Sequence, residues 1–405
     1  MIISQAALQA IRLLNEGGYE AYLVGGCVRD DMLGILPHDY DICTAALPEE
    51  MQQVFHAFRT VETGLKHGTL TVLVDSEPLE ITTYRLDGEY LDNRHPKEVT
   101  FTRNLENDLS RRDFTVNAMA FHPDLGLVDL FGGREDCNRK VIRCVGNAAT
   151  RFTEDALRIL RAFRFAARFR FDIEEHTARA IFDKQHLLQN ISAERIASEM
   201  NGLLQAEGAA DILRTFREVF FTAMPALQMP DEAWHRALQV LSCCEKKLPL
   251  LWSALLHPLG AEQAKTVLQT LKMPNALQED VYALLAHLHL PLSPEKMQYA
   301  LMVMGKERIF LLLSLQQALN SAEHSGSETE TAARYGMLQQ KAEALLASGA
   351  CYTLSALAVK GNDLAALGIQ GKDIGETLHR LLEKVALGEA ENDREQLLRL
   401  ARNMK

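Results

Sequence analysis

The chain has 405 residues, 43 Lys and Arg against 54 Asp and Glu for a formal net charge of −11, and 47% apolar residues. That composition excludes a largely disordered chain and a generic basic coat for nucleic acid, and it allows two or three domains, each with its own core. No apolar run approaches the ~18 residues that cross a bilayer, no basic leader follows Met1, and the seven cysteines are scattered without a C-x-x-C, so a reducing cytoplasm is expected and a zinc site or disulfide framework is not.

Ser4 is placed to cap a first helix carrying Leu8, Ile11 and Leu14, which Gly17-Gly18 would stop. Strands are expected at 21–24, 40–43, 69–74 and 79–84; Leu70, Val72 and Val74 alternate with mostly polar neighbours, as a half-buried strand requires. From about residue 138 the strand signals vanish, and helical patterns run over 154–169, 193–204, 261–271, 306–319, 374–387 and 393–402. The segment 321–331, rich in Ser, Glu and Thr, reads as flexible. No repeat of solenoid period is present. The expected fold is an α/β head, a small mixed sheet with helices, followed by an all-α remainder.

Asp39-Tyr40-Asp41 falls on a predicted strand, where residues two apart share a face, so both carboxylates converge. With no base between them they repel unless a cation intervenes, and Mg²⁺ suits hard oxygen ligands and substrate phosphates. For so short a motif alone, two edge aspartates facing water are the better reading. Upstream, Gly25-Gly26-Cys27-Val28-Arg29-Asp30 makes a glycine turn between strand and helix. There backbone N–H groups can approach a phosphate and Arg29 adds charge, although a plain tight turn accounts for it equally well. It is not a Walker A loop, since no G-x-x-x-x-G-K-[ST] occurs. Glu80, on the strand 79–84, is a third carboxylate for metal or base, or else an exposed strand glutamate. Together these elements describe nucleotidyl transfer, in which two metal ions bridge a triphosphate and activate an attacking hydroxyl.

The stretch 24–44, VGGCVRDDMLGILPHDYDICT, resembles the signature of the class II tRNA nucleotidyltransferase and poly(A) polymerase family. Further matches follow in the family's order: DGEYLDNRHP at 87–96, RRDFTVNA at 111–118, DLFGG at 129–133, EDALR at 154–158 and ERIASE at 194–199. The resemblance is strong over about 20–200 and weaker beyond, where 359–402 is similar to the tail of short bacterial CCA-adding enzymes. It implies a nucleotidyltransferase head at 1–137, a neck with a nucleotide-recognition helix at 138–204, a helical body at 205–275 and a tRNA-binding helical tail at 276–405. It places the metal aspartates on Asp39 and Asp41, the third carboxylate on Glu80, and nucleotide contacts on Gly26, Arg29 and Arg112, with Asp113 a candidate for the ribose. His38 stands where the family commonly has a small residue, the one departure.

Thr153, as N-cap, with Glu154 and Asp155 is expected to open a helix whose apolar face holds Leu157, Ile159, Leu160 and Phe163. Arg158, Arg161, Arg164 and Arg168 lie on the other side, a concentration of positive charge in an acidic chain, and Asp155 and Arg158 are surface neighbours three apart. A solvated amphipathic helix is the bland reading. The sharper one follows from base chemistry: cytosine and adenine present an amino donor beside an unprotonated ring nitrogen, which a carboxylate and a guanidinium complement, whereas guanine and uracil present the opposite order. The resemblance assigns Asp155 and Arg158 this role, sets Arg161 and Arg164 along the triphosphate or base pocket, and reads ERIASE as a brace for the helix. The cysteines are assigned to packing.

The resemblance implies template-independent addition of C, C and A to tRNA 3′ ends from CTP and ATP, with two Mg²⁺ ions as cofactor and neither membrane nor DNA as partner; it says nothing of oligomeric state. The alternatives are an A-adding-only tRNA nucleotidyltransferase and a poly(A) polymerase. The acidic tail (Glu389, Glu391, Asp393, Glu395) speaks against the basic extension of the latter. The intact segment 87–96 speaks against a CC-only enzyme and is expected to be the lever that admits A after two additions. No second His-Asp site points to a phosphohydrolase.

Overall fold

Residues 1–88, 99–323 and 328–404 are described in the computed structural model of the chain. They form two units, Met1–Pro225 and Ala226–Lys405.

In the first unit, helix α1 (Gln5–Glu16) starts where Ser4 Oγ accepts the Ala7 N–H at 3.1 Å, and it buries Ala7, Ala10, Ile11 and Leu14. Strand β1 (Ala21–Val24) is wholly buried. Gly25, at φ +75, turns the chain into α2 (Gly26–Met32), a conformation that L side chains rarely adopt. Strand β2 (Asp41–Thr44) follows, then α3 (Pro48–Val54) and β3 (Arg59–Val61). Strand β4 (Thr69–Val74) buries Leu70, Val72 and Val74, as their alternation predicts. It joins β5 (Glu77–Thr83) through Asp75-Ser76, both at positive φ, as a two-residue hairpin whose twist matches its strands requires. A ribbon pairs β6 (Arg85–Asp87) with β7 (Val99–Phe101), and α4 (Leu105–Ser110) follows. Strands β8 (Met119–His122) and β9 (Gly126–Asp129) complete a mixed sheet ordered β3-β4-β5-β2-β1-β8-β9, in which only β2 and β5 run parallel.

Sequence patterning misses β3, β6, β7, β8 and β9. It also misses a short parallel ladder in the helical part, where Val141–Ile142 pairs Asp172–Ile173. Between these ladder strands run α6 (Ala148–Glu154) and α7 (Leu157–Phe169), followed by α8 (Glu175–Lys184) and α9 (Ala193–Leu204). The helix expected at 154–169 is thus two, broken at Asp155, and Thr153 lies in the last turn of α6 rather than at an N-cap. Helix α5 (Gly133–Arg139) begins hard against the turn before β8: a Cβ on Gly133 would sit 2.2 Å from the Thr115 carbonyl oxygen. Gly133→Ala is therefore expected to cost about 3 kcal/mol, the upper range for overpacking, and to lower the midpoint of a thermal melt by roughly 10 °C; an unchanged midpoint would contradict this packing.

The second unit is helical throughout its described residues. Trp234 and Trp252 are fully buried in it, and a separate cluster around Val359, Leu364, Leu381 and Leu397 forms the core of its last segment. Met297–Glu323 is one helix in extent but breaks at Gly305, whose φ of 74° is not helical. Of the segment expected to be flexible, 321–323 closes this helix and 328–331 opens Glu328–Ala347, while 324–327 lies outside the described residues. The acidic tail has local work: Asp393 caps Arg394–Arg402 by accepting the Gln396 N–H, and Glu389 pairs with Lys384 at 2.9 Å. No helix among the described residues is long and apolar enough to cross a membrane. Six of the seven cysteines are buried, Cys243 being exposed, as packing residues would be.

Candidate active site

The parallel pairing of β2 with β5 sets Asp41 in register with Glu80, so two carboxylates from distant parts of the chain stand side by side at the end of the sheet. Asp39 is close enough to act on Asp41 but precedes the strand, which begins at Asp41 and not at residue 40. All three are exposed. The Asp41 carboxyl is pushed from the ordinary 3.8 up to about 6, first by the protein packed around it and then by Asp39 and Glu80, with Arg112 opposing. Carboxylates held together against their own repulsion are the donor set a hard divalent cation relieves. Among the described residues, no group of three or more His, Cys, Asp or Glu closes into a ready-made metal site.

Behind these carboxylates stands a lattice of arginines, each answered by an acid. Asp108, fully buried on α4, binds Arg111 at 2.7 Å and Arg112 at 3.1 Å; burial works to raise its carboxyl, and the two guanidinium groups outweigh it and hold it low. The same pairing raises Arg112 against burial, while its Nε remains buried without a hydrogen bond. A Cβ on Gly25 would come 3.1 Å from Arg112 Nη1, so the glycine turn lets this arginine close in. Asp113 accepts from Arg161 Nε at 2.8 Å; burial acts to raise it, and Arg161, Asn117 and Arg158 bring it down to about 2. Glu199 of α9 holds Arg164 at 2.6 Å and faces Arg161 at 3.9 Å, and the Phe165 ring lies beneath both guanidinium groups.

One further expectation needs correction. Arg158 is no surface neighbour of Asp155: it is buried, donates to Glu154 at 2.6 Å and to the Arg111 carbonyl at 3.1 Å, while Asp155 pairs with Arg195 of α9 at 2.8 Å. Arg29 follows the glycine turn on α2. It is buried, bonded to Asp30 and Asn117, and stacked against the rings of Phe165 and Phe169 at 5.2 and 4.7 Å.

The family description "Poly A polymerase head domain" matches residues 21–143, and "tRNA nucleotidyltransferase domain 2" matches 246–401. A CCA-adding enzyme of Geobacillus thermodenitrificans is 37% identical over 97% of this chain and 95% of its own length, and one of Enterococcus faecalis is 35% identical over 98% and 96%. The crystal structure of the Bacillus stearothermophilus CCA-adding enzyme in complex with CTP superposes with a TM-score of 0.82 at 33% identity, covering 99% of this chain and 97% of that one. The chain belongs to the family of CCA-adding tRNA nucleotidyltransferases.

It is a nucleotidyltransferase, and its family is metal-dependent. The fold agrees: a mixed-sheet head and a helical remainder. The enzyme's glycine turn, its carboxylates, Arg112, Asp113 and the α7 arginines all belong to the first unit. Residues 89–98 lie outside the described residues, and with them 89–96, the larger part of the segment 87–96 read as a lever. Reading the sequence missed Asp108, Arg195 and Asn117. Asp108 had a signal, since an acid three and four residues ahead of Arg111 and Arg112 is the spacing of a helical ion pair. Arg195 and Asn117 had none beyond lying inside quoted motifs. ERIASE meets α7 through Glu199 on Arg164, and meets Asp155 at the break before α7 through Arg195. The surplus positive charge expected on α7 is largely cancelled, because Arg158, Arg161 and Arg164 each face an acid.

Proposed function

We propose that the enzyme adds C, C and A in turn to the 3′ end of tRNA, taking CTP and ATP and releasing pyrophosphate, with no nucleic-acid template. In each step the tRNA 3′ oxygen bonds to the α-phosphorus, the α–β phosphate bond breaks, and the hydroxyl proton leaves. The observation that carries this reading is the register of Asp41 beside Glu80, with Asp39 near and Arg112 opposing. Asp39 and Asp41 would hold Mg²⁺, two ions in all, and Glu80 is a further ligand or the base. When bound, the ions offset triphosphate charge and make the hydroxyl a better nucleophile. Gly26, Arg29, Arg112 and Asp113 serve the nucleotide, Arg29 and Asp113 from within the lattice. Asp155 and Arg158 select C and A; Arg161 and Arg164 flank them.

The division into head, neck, body and tail at 137, 204 and 275 belongs to the same reading, with the tail gripping the tRNA by shape. So does a cytoplasmic location, which buried free thiols suit. The test is a tRNA transcript lacking CCA, incubated with CTP, ATP or both. Two C additions with CTP and completion with both support the proposal; A alone on a transcript ending in CC marks an A-adding enzyme, and long A runs mark a poly(A) polymerase.

A further inference from the structure

Asn117 lies in the short helical turn Thr115–Asn117, buried against the glycine turn: a Cβ on Gly25 would be 3.8 Å from its carbonyl oxygen. Its side chain joins two groups of opposite demand. Arg29 Nη1 donates to Asn117 Oδ1 at 2.6 Å, and Asn117 Nδ2 donates to Asp113 Oδ1 at 3.1 Å. A guanidinium can only donate and a carboxylate can only accept, so the residue between them must offer an acceptor at one end and a donor at the other, which a primary amide does. Reversing the amide would set N–H against N–H and oxygen against oxygen, so its orientation is fixed by its neighbours.

The consequence reaches both sides of the site. Arg29 anchors the glycine turn to Asp30 and to the rings of Phe165 and Phe169 on α7. Asp113 anchors the segment after Arg112 to Arg161 on the same helix. Asn117 is the one side chain hydrogen-bonded to both anchors among the described residues.

We propose that Asn117 is a positioning residue for the incoming nucleotide: by joining Arg29 to Asp113 it holds the glycine turn and the Arg112-Asp113 segment at one spacing along the recognition helix. The inference rests on the function proposed above. It distinguishes nucleotide binding from tRNA binding, because both hydrogen-bond partners of the Asn117 side chain, Arg29 and Asp113, belong to the glycine turn and the Arg112-Asp113 segment.

The replacement Asn117→Asp makes a sharp test. Ionised, it sets a second carboxylate against Asp113, with Asp30, Arg29 and Arg161 the other charges around it; protonated, the acid has a carbonyl for Arg29 and an O–H for Asp113, and so restores the amide's pattern. Asn117→Leu keeps the size and offers neither. Using the full chain, Kd for CTP and ATP, KM for tRNA lacking CCA and the thermal midpoint would be measured at several pH values and referred to the wild type at each. Near pH 8, Asn117→Asp is expected to weaken both nucleotides about ten- to a hundredfold, the range for bonds to charged groups, and to recover as the pH falls towards 6. Asn117→Leu is expected to be weak throughout, and KM for tRNA to stay within about twofold for both. If Asn117→Leu does not fold, Asn117→Ser takes its place. Unchanged nucleotide Kd, a flat pH response of Asn117→Asp, or equal losses for tRNA and nucleotide would overturn the inference. A wild type that binds CTP yet adds nothing to tRNA would overturn the function and leave Asn117 to be judged on Kd; one that binds no nucleotide would overturn both.

Discussion

Asn in place of Asp41 is expected to lower CMP and AMP incorporation alike by at least about a thousandfold, the rate equivalent of several kcal/mol of lost charge stabilisation. The same change should leave the fold as stable as before, or more so. Asp41, although exposed, is raised from 3.8 to about 6 by the protein packed around it and by Asp39 and Glu80, so the folded chain holds this proton more tightly than the unfolded one. A group shifted upwards costs stability above its folded value and costs nothing below its unfolded one. Without divalent cations, the midpoint of Asp41→Asn should therefore match or exceed that of the wild type at pH 7, and the difference should close as the pH falls from about 6 to about 4. A cation reverses the comparison by favouring the ionised wild type. Melts with and without Mg²⁺, beside primer-extension gels, would check both halves; incorporation near the wild-type rate would remove Asp41 from the metal site.

Arg158→Ala should relax base choice. Its guanidinium is fixed by Glu154 and by the Arg111 carbonyl, so on the reading proposed above it would meet the base already oriented. Losing one good donor pair removes about 1–3 kcal/mol of discrimination, and misincorporation of UMP and GMP relative to CMP should rise about ten- to a hundredfold. The fold should tolerate the change, because Glu154 keeps Arg151 at 2.7 Å. Competition assays with mixed nucleotides decide it: a slower enzyme with undiminished selectivity would make α7 a phosphate-binding face instead.

Where burial follows local pattern, the fold was legible before the structure. Leu70, Val72 and Val74 announce β4, and Ser4 and Asp393 announce the helices they cap. Strand β9 is half-buried along its whole length, so no alternation marks it, and β8 is a nearly continuous buried run that follows a motif. The break at Asp155 has no Gly or Pro to signal it; part of its surroundings is Arg195, forty residues onward. The pair Asp39 and Asp41 was legible as a motif, whereas the register joining Asp41 to Glu80 is a tertiary fact. The partners of the α7 arginines were harder still, since Asp113 and Glu199 lie 48 and 35 residues from Arg161 and Arg164.

The acids that answer those arginines also set how the enzyme responds to salt. A surface that grips nucleic acid with unpaired cations expels condensed counterions on binding, and its affinity falls steeply as salt rises. Arginines already neutralised from within expel few, so nucleotide affinity at this face should slope gently against ionic strength. A polyanion with charge but the wrong shape would then find little here to hold it.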